Sequence, residues 1–315
     1  MTQTIAFFAG IDISKETLDL AFSNDVAVVQ FDNTKAGCRR LVALLVKHQP
    51  ECIVFEATGP YHRELEIALA AAGLAYAKAN PRKVRRFADV IGIHAKTDRV
   101  DARLLARFAA MVDVTPTAQK SASLQNLGEL INARQSLITD RTALKNRSHV
   151  QRSKLIIRQN QARLTLIENQ IKAIDQEAIT LVKQDEALAA RFDILISIPG
   201  ISTLTAIVIL TEMPELGTLD QRQVASLAGL APHPRESGAW KGKRFICGGR
   251  ANLRQALYMP ALVAARFNAD LKTKYDALIA ARKPPKVAIT AIMRKLIILA
   301  NALIRDQRKW CQKPA

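Results

Sequence analysis

Asp12 and Glu56 each stand where a short apolar run gives out (IAFFAGID and CIVFE), and Asp98 and Asp101 lie three residues apart in KTDRVDAR. On a helix, residues three apart share a face. Four carboxylates brought to one place repel one another, and each resists ionising beside the others. A divalent cation that prefers oxygen ligands removes that cost, so magnesium, or manganese, is the expected cofactor. Two such ions about 4 Å apart would stabilise the entering and leaving oxygens of a phosphoryl transfer. Taken singly, two of the acids have plainer readings: Asp98 as a helix N-cap after Thr97, and Asp101 as an ion-pair partner of Arg103 or Arg107. Asp12 is harder to dismiss, because an acid at the end of so apolar a strand needs compensation.

A second kind of chemistry lies in PHPRESGAWKGKRFICGGRANLRQALY. There Ser237 precedes Gly238 in a Gly-rich loop, flanked by Arg235, Lys241, Lys243 and Arg244, with Arg250, Asn252 and Arg254 just beyond. A serine that attacks a phosphodiester needs exposure, nearby cations and a way to lose its proton. The loop supplies the first two. The alternative is ordinary turn chemistry, with the charges holding backbone. In LISIPGISTLTAIVIL, Pro199 and Gly200 separate two apolar helical runs in the helix-hairpin-helix manner, in which amides at the second helix's N-terminus meet a DNA phosphate. An ordinary helix-helix turn reads the same way. Between Arg141 and Ile167 seven basic residues, Arg147, Arg152 and Lys154 among them, occur without an acid. Such a run fits a nucleic-acid backbone or a plain solvated helix face.

The elements that must position these groups are legible in outline. Residues 5–11 read as a strand, 17–22 as its neighbour, and Asn24-Asp25 as a turn into a third strand at 26–31. A helix over 34–48, a strand over 52–55, a helix over 60–72, a strand over 74–79 and helices from Pro81 and Asp98 follow. Three hairpin strands and then alternating helix and strand is the order of an α/β ribonuclease H-like fold. From Ser121 to Ala190 there is no proline and one glycine, and Leu164, Ile167, Ile171, Ile174, Ala178, Leu181 and Leu188 fall on a three-four repeat broken at Asp185. That is the pattern of a coiled coil or long helical hairpin that packs on another helix. The expected division is a catalytic domain over 1–118, a helical coiled-coil segment over 119–190 and a mostly α-helical C-terminal domain over 191–315.

Composition sets the class of partner. The net charge is +18, and residues 191–315 hold 20 basic against 8 acidic side chains. A cationic surface of this size implies a polyanion, nucleic acid first and anionic membrane second. The four cysteines, Cys38, Cys52, Cys247 and Cys311, lack the paired spacing of a zinc site and read as buried, reduced thiols. The N-terminus has no basic region before its apolar run, and no stretch approaches the roughly 18 uninterrupted apolar residues of a membrane span. A cytoplasmic protein with no membrane partner is expected.

With these residues in view, GIDISK, FEATGPYH and KTDRVDARLLA resemble the DEDD tetrad of RuvC-like insertion-sequence transposases, the insertion-sequence family one-ten, related to the Piv DNA invertases. IPGIS, GLAPHPRESG and GGRANLRQALY are similar to that family's second domain. The resemblance spans nearly the whole chain in order, with no departure in the tetrad or the serine motif. It implies that Asp12, Glu56, Asp98 and Asp101 hold magnesium and that Ser237 is the nucleophile, joined covalently to DNA so that strands are rejoined without ATP. It further implies dimers or a tetramer assembled through the coiled coil, with the acids of one subunit serving the serine of another. Donor and target DNA, and an element-encoded noncoding guide RNA, are the partners so implied. A Piv-like invertase, a RuvC-like hydrolytic nuclease with a structural Ser237 and a non-catalytic nucleic-acid scaffold are the rival expectations.

Overall fold

The computed structural model describes residues 7–25, 27–57, 59–93, 97–117, 121–238 and 240–311. They form two compact units, 1–119 and 120–315. In the first, strands β1 (Ala9–Ile13), β2 (Thr17–Phe22) and β3 (Val28–Asp32) run antiparallel, while β4 (Ile53–Glu56) and β5 (Tyr76–Ala79) add in parallel, giving the order β3-β2-β1-β4-β5. This is the ribonuclease H-like arrangement. The β1–β2 turn is tied by Ser14, whose hydroxyl accepts from the Thr17 amide at 2.8 Å. The first strand starts later and runs further than its sequence suggested, so Asp12 lies inside the β1–β2 ladder, one residue past the last β1–β4 pair. Residues 5, 6 and 26 of the expected strands lie outside the described residues.

Helices α1 (Lys35–His48), α2 (Arg63–Ala71), α3 (Pro81–Val90) and α4 (Asp98–Met111) complete this unit. Apolar side chains cover the sheet on both faces: Leu41, Leu45, Leu65 and Leu69 with Ile11 and Phe55, and Val84, Leu105 and Phe108 with Val54. Helix α4 lies directly on β1. A Cβ added to Gly10 would fall 2.2 Å from the Ala106 nitrogen and 2.3 Å from the Ala102 oxygen, so only glycine lets helix and strand come this close.

The second unit opens with two long helices, α5 (Ala122–Ser148) and α6 (Lys154–Gln184), packed on each other as a helical hairpin. Of the expected stripe on α6, Ile171 and Ala178 are buried while Leu164, Ile167, Ile174 and Leu181 are half-buried. Helices α7 (Glu186–Ile196), α8 (Thr203–Glu212) and α9 (Gln221–Leu227) follow, with α10 (Ala251–Ala256), α11 (Tyr258–Phe267), α12 (Ala269–Ala280) and α13 (Pro285–Arg305) closing the core. Helix α13 is apolar and long enough to cross a membrane, but Arg294 and Lys295 interrupt its apolar run, and Ile289, Ile292, Leu296, Ile297, Ala300 and Leu303 are buried in the helical core. One correction concerns the cysteines: Cys38 and Cys52 are buried, but Cys247 and Cys311 are exposed.

The segment between α9 and α10 is not an irregular loop. Strands β6 (Pro232–His233) and β9 (Phe245–Ile246) pair with each other, and between them β7 (Glu236–Ser237) pairs with β8 (Trp240–Lys241). The result is a narrow ribbon with Ser237 at its tip. Gly229 and Gly249 close its base: a Cβ on Gly249 would lie 2.1 Å from the Gly229 nitrogen.

Candidate active site

The acidic site is built by three elements of the first unit. Parallel pairing of Ile11 with Phe55 puts Asp12 and Glu56 side by side at the same end of β1 and β4. The contact of α4 with β1 then brings the first turn of α4 over them, with Thr97 as the N-cap, its hydroxyl accepting from the Val100 amide, and Asp98 and Asp101 in that turn. Thr97, not Asp98, is the cap residue. Acids in the first turn also complement the helix dipole. Asp12, Glu56 and Asp101 line one cavity of about 330 Å³ together with Pro81, Val84, Arg85, Leu104 and Leu105.

The electrostatics say that the acids feel one another. Asp12 has its pKa pushed up to about 6, first by burial, then by Asp101 and Asp98 and, more weakly, by Asp19, against a hydrogen bond from the Ile13 backbone. Among the described residues no three His, Cys, Asp or Glu side chains stand as a ready-made metal cage. The donor set nevertheless suits magnesium or manganese: carboxylate oxygens only, from separate elements, around a cavity with room for water and phosphate oxygens.

Two groups at this site escape the sequence reading. Asp19 is 1% exposed, lies directly opposite Asp12 in the β1–β2 register, and accepts from Gln30 Nε2 at 3.2 and 3.3 Å. The signal was available: an acid in the middle of TLDLAF has to be paired. Arg85 lines the acid cavity from α3, whose Arg82, Lys83 and Arg86 are also exposed. Elsewhere in this unit, Glu66 takes a hydrogen bond from the Tyr76 hydroxyl at 2.9 Å and an ion pair from Lys78 at 2.7 Å, pinning α2 to β5. Burial and Glu66 hold the Tyr76 phenol well above its usual range.

The second unit places the remaining residues. Ser237, Arg235, Lys241 and Lys243 are exposed on the ribbon. Arg250 is engaged inward: both its terminal nitrogens donate to Glu215 at 2.7 Å, and one reaches the Glu212 carbonyl. Arg254 donates to the Gly248 carbonyl at 2.8 Å. Both therefore brace the base of the ribbon. Pro199 and Gly200 turn α7 into α8, and a Cβ on Gly200 would fall 2.6 Å from the Pro260 oxygen, so that glycine answers to packing against α11. Arg147, Arg152 and Lys154 are exposed at the tip of the α5–α6 hairpin, among exposed Val150, Leu155, Ile156 and Ile157.

Comparison with known proteins agrees with this layout. A family model for transposases of the DEDD type of IS110 matches residues 9–151, and one described as transposase IS116/IS110/IS902 family matches residues 192–276. Together they take in well over half of the chain. The chain belongs to the IS110 family of transposases. The IS110 transposase is thus a DNA recombinase with a ribonuclease H-like first unit. It is 28% identical over 314 residues to the pilin gene-inverting protein of Moraxella bovis, covering 96% of this chain and 97% of that one. It is 26% identical to the insertion element IS900 uncharacterized 42 kDa protein of Mycobacterium paratuberculosis, over 61% of this chain and 50% of that one. T. thermophilus RuvC in complex with Holliday junction substrate overlays 36% of the transposase and 99% of its own chain at 15% identity and a TM-score of 0.29. The fold assignment stands on the strand order and not on that overlay.

Proposed function

We propose that this transposase cuts and rejoins DNA through a covalent bond to Ser237, with Asp12, Glu56, Asp98 and Asp101 holding magnesium or manganese. The observation that carries the reading is that one chain holds both an acid-lined cavity, in its first unit, and an exposed serine followed by cations at a ribbon tip, in its second. Ser237 Oγ attacks phosphorus, a new O–P bond forms as the bond to the deoxyribose oxygen breaks, and the serine proton passes by way of water to that leaving oxygen. The phosphodiester is conserved, so the reverse attack by another strand end rejoins DNA without ATP. When bound, the metal supplies charge stabilisation at the entering and leaving oxygens. Arg235, Lys241 and Lys243 neutralise phosphate charge at the serine, and Arg85 does so at the acid cavity.

The remaining assignments belong to the same proposal. Arg147, Arg152 and Lys154 contact nucleic acid, while the exposed apolar residues of the α5–α6 hairpin support assembly into a dimer or tetramer. A guide RNA rests on the family resemblance, and a preparation that recombines its own ends after full ribonuclease treatment would remove it. A cytoplasmic location is part of the same proposal. The near full-length likeness to pilin gene-inverting proteins favours inversion as a second outcome of the same chemistry.

The deciding experiment incubates the protein with DNA carrying its element ends and magnesium, then denatures it and resolves the products. Covalent protein-DNA adducts that vanish in Ser237→Ala and in a folded Asp12→Ala variant are expected. Freely migrating cut strands from Ser237→Ala would instead make this a hydrolytic nuclease, and loss of folding in Asp12→Ala would favour a scaffold.

A further inference from the structure

We infer that Trp240 is a stacking platform for the nucleobase next to the phosphate attacked by Ser237, an inference that rests on the serine reading above. Register puts the two side chains together: Ser237 lies directly opposite Trp240 in the β7–β8 pair. Directly opposed residues of an antiparallel pair point to the same face, with Cβ atoms about 4.5–5.5 Å apart. Arg235, two residues before Ser237, shares that face, and its carbonyl accepts from the Gly242 amide at 2.9 Å, continuing the ladder. Glu236 and Lys241 form the pair that faces the other way. One face of the ribbon therefore presents a guanidinium, a hydroxyl and an indole in a row.

The indole is held for use and is not part of a core. Trp240 is 58% exposed. Its ring lies across Gly242, where an added Cβ would stand 2.4 Å from Cη2 and 2.9 Å from Cζ3. A residue without a side chain thus supports one part of the ring and leaves the rest open. Exposed Lys241, Lys243 and Arg244 follow it in the chain. An aromatic face among cations is the composition that binds single-stranded nucleic acid, where bases stack with little regard to sequence. Bases in an intact duplex are already stacked on their neighbours, so the ligand is an unpaired or extruded base. Held there, the base would fix the sugar and its phosphate against Ser237 Oγ, which makes Trp240 a positioning residue.

The test uses intrinsic fluorescence of the full chain. Of the two tryptophans, Trp310 packs against the helical core, so Trp310→Phe leaves Trp240 as the reporter. Titration with a short oligothymidylate, followed in parallel by anisotropy of the labelled oligonucleotide, is expected to quench Trp240 emission as binding proceeds. Trp240→Ala should weaken binding about 5- to 100-fold, with Trp240→Phe retaining most of the affinity. Binding without quenching, or unchanged affinity in Trp240→Ala, overturns the platform. So does an emission change that follows protein concentration and ignores the oligonucleotide, which would mark a protein contact. Ser237→Ala separates the two readings: quenching intact with adducts lost supports both, and quenching intact with adducts retained removes the serine while leaving the platform.

Discussion

Asp12 titrates near 6 because it is buried among other acids, and this makes a statement about stability that needs no DNA. Its folded pKa lies above the unfolded value near 3.8, so folding favours the protonated form. That contribution is fully present below the unfolded pKa and is lost as pH rises through 6. In EDTA the wild-type protein should therefore lose thermal stability between pH 5 and pH 7.5 relative to Asp12→Asn, which resembles the neutral acid at every pH. Magnesium should restore the wild type at pH 7.5 and leave Asp12→Asn unmoved. Parallel melting curves for the two proteins across this range would contradict the shared acidic cavity. Asp19 sharpens the same point, since a buried carboxylate directly opposite Asp12 adds negative charge to a place that already holds too much.

At the scale of elements, the site depends on how closely α4 lies on β1. Gly10→Ala would drive a methyl group to within 2.2 Å of the α4 backbone at Ala106, and backbone cannot swing aside as a side chain can. Overpacking of this kind costs about 1–3 kcal/mol, which lowers Tm by several degrees. Because the shift separates Asp98 and Asp101 from Asp12, metal-dependent stabilisation should weaken in the same variant; calorimetry with and without magnesium reads both. A Gly10→Ala protein that melts like the wild type would mean that α4 is not seated as described. The sheet order was legible because alternation, turn residues and β-branched runs mark strands of four to six residues. The ribbon around Ser237 was not, since strands of two residues among glycines and prolines carry no period to read. Arg85 was missed for another reason: its meaning comes from a cavity wall that no spacing along the chain announces, whereas Asp19 stood out as an acid within TLDLAF and only its place opposite Asp12 needed the register.

Across the whole molecule the question is which of the many cations bind DNA. Residues 191–315 carry 20 basic side chains against 8 acidic ones, but charge in a sequence does not distinguish a cation facing solvent from one spent on the fold. Arg250 is spent: its guanidinium forks onto Glu215 and the Glu212 carbonyl at the base of the ribbon. Lys241 and Lys243 are exposed near the tip. Each phosphate neutralised releases counterions, so the slope of log K against log salt becomes steeper by about 0.9 per contact on duplex DNA and about 0.7 on a single strand. Lys241→Ala with Lys243→Ala should flatten the slope by about 1.4–1.8 while leaving the melting temperature nearly unchanged. Arg250→Ala should do the reverse, keeping the slope but lowering stability, because Glu215 loses its bidentate partner in a half-buried site. Filter binding at several salt concentrations with paired melting curves tests both arms. If Arg250→Ala flattened the slope as much as the double lysine variant, the ribbon base would have to open onto DNA, and the internal fork at Glu215 would be the resting arrangement only.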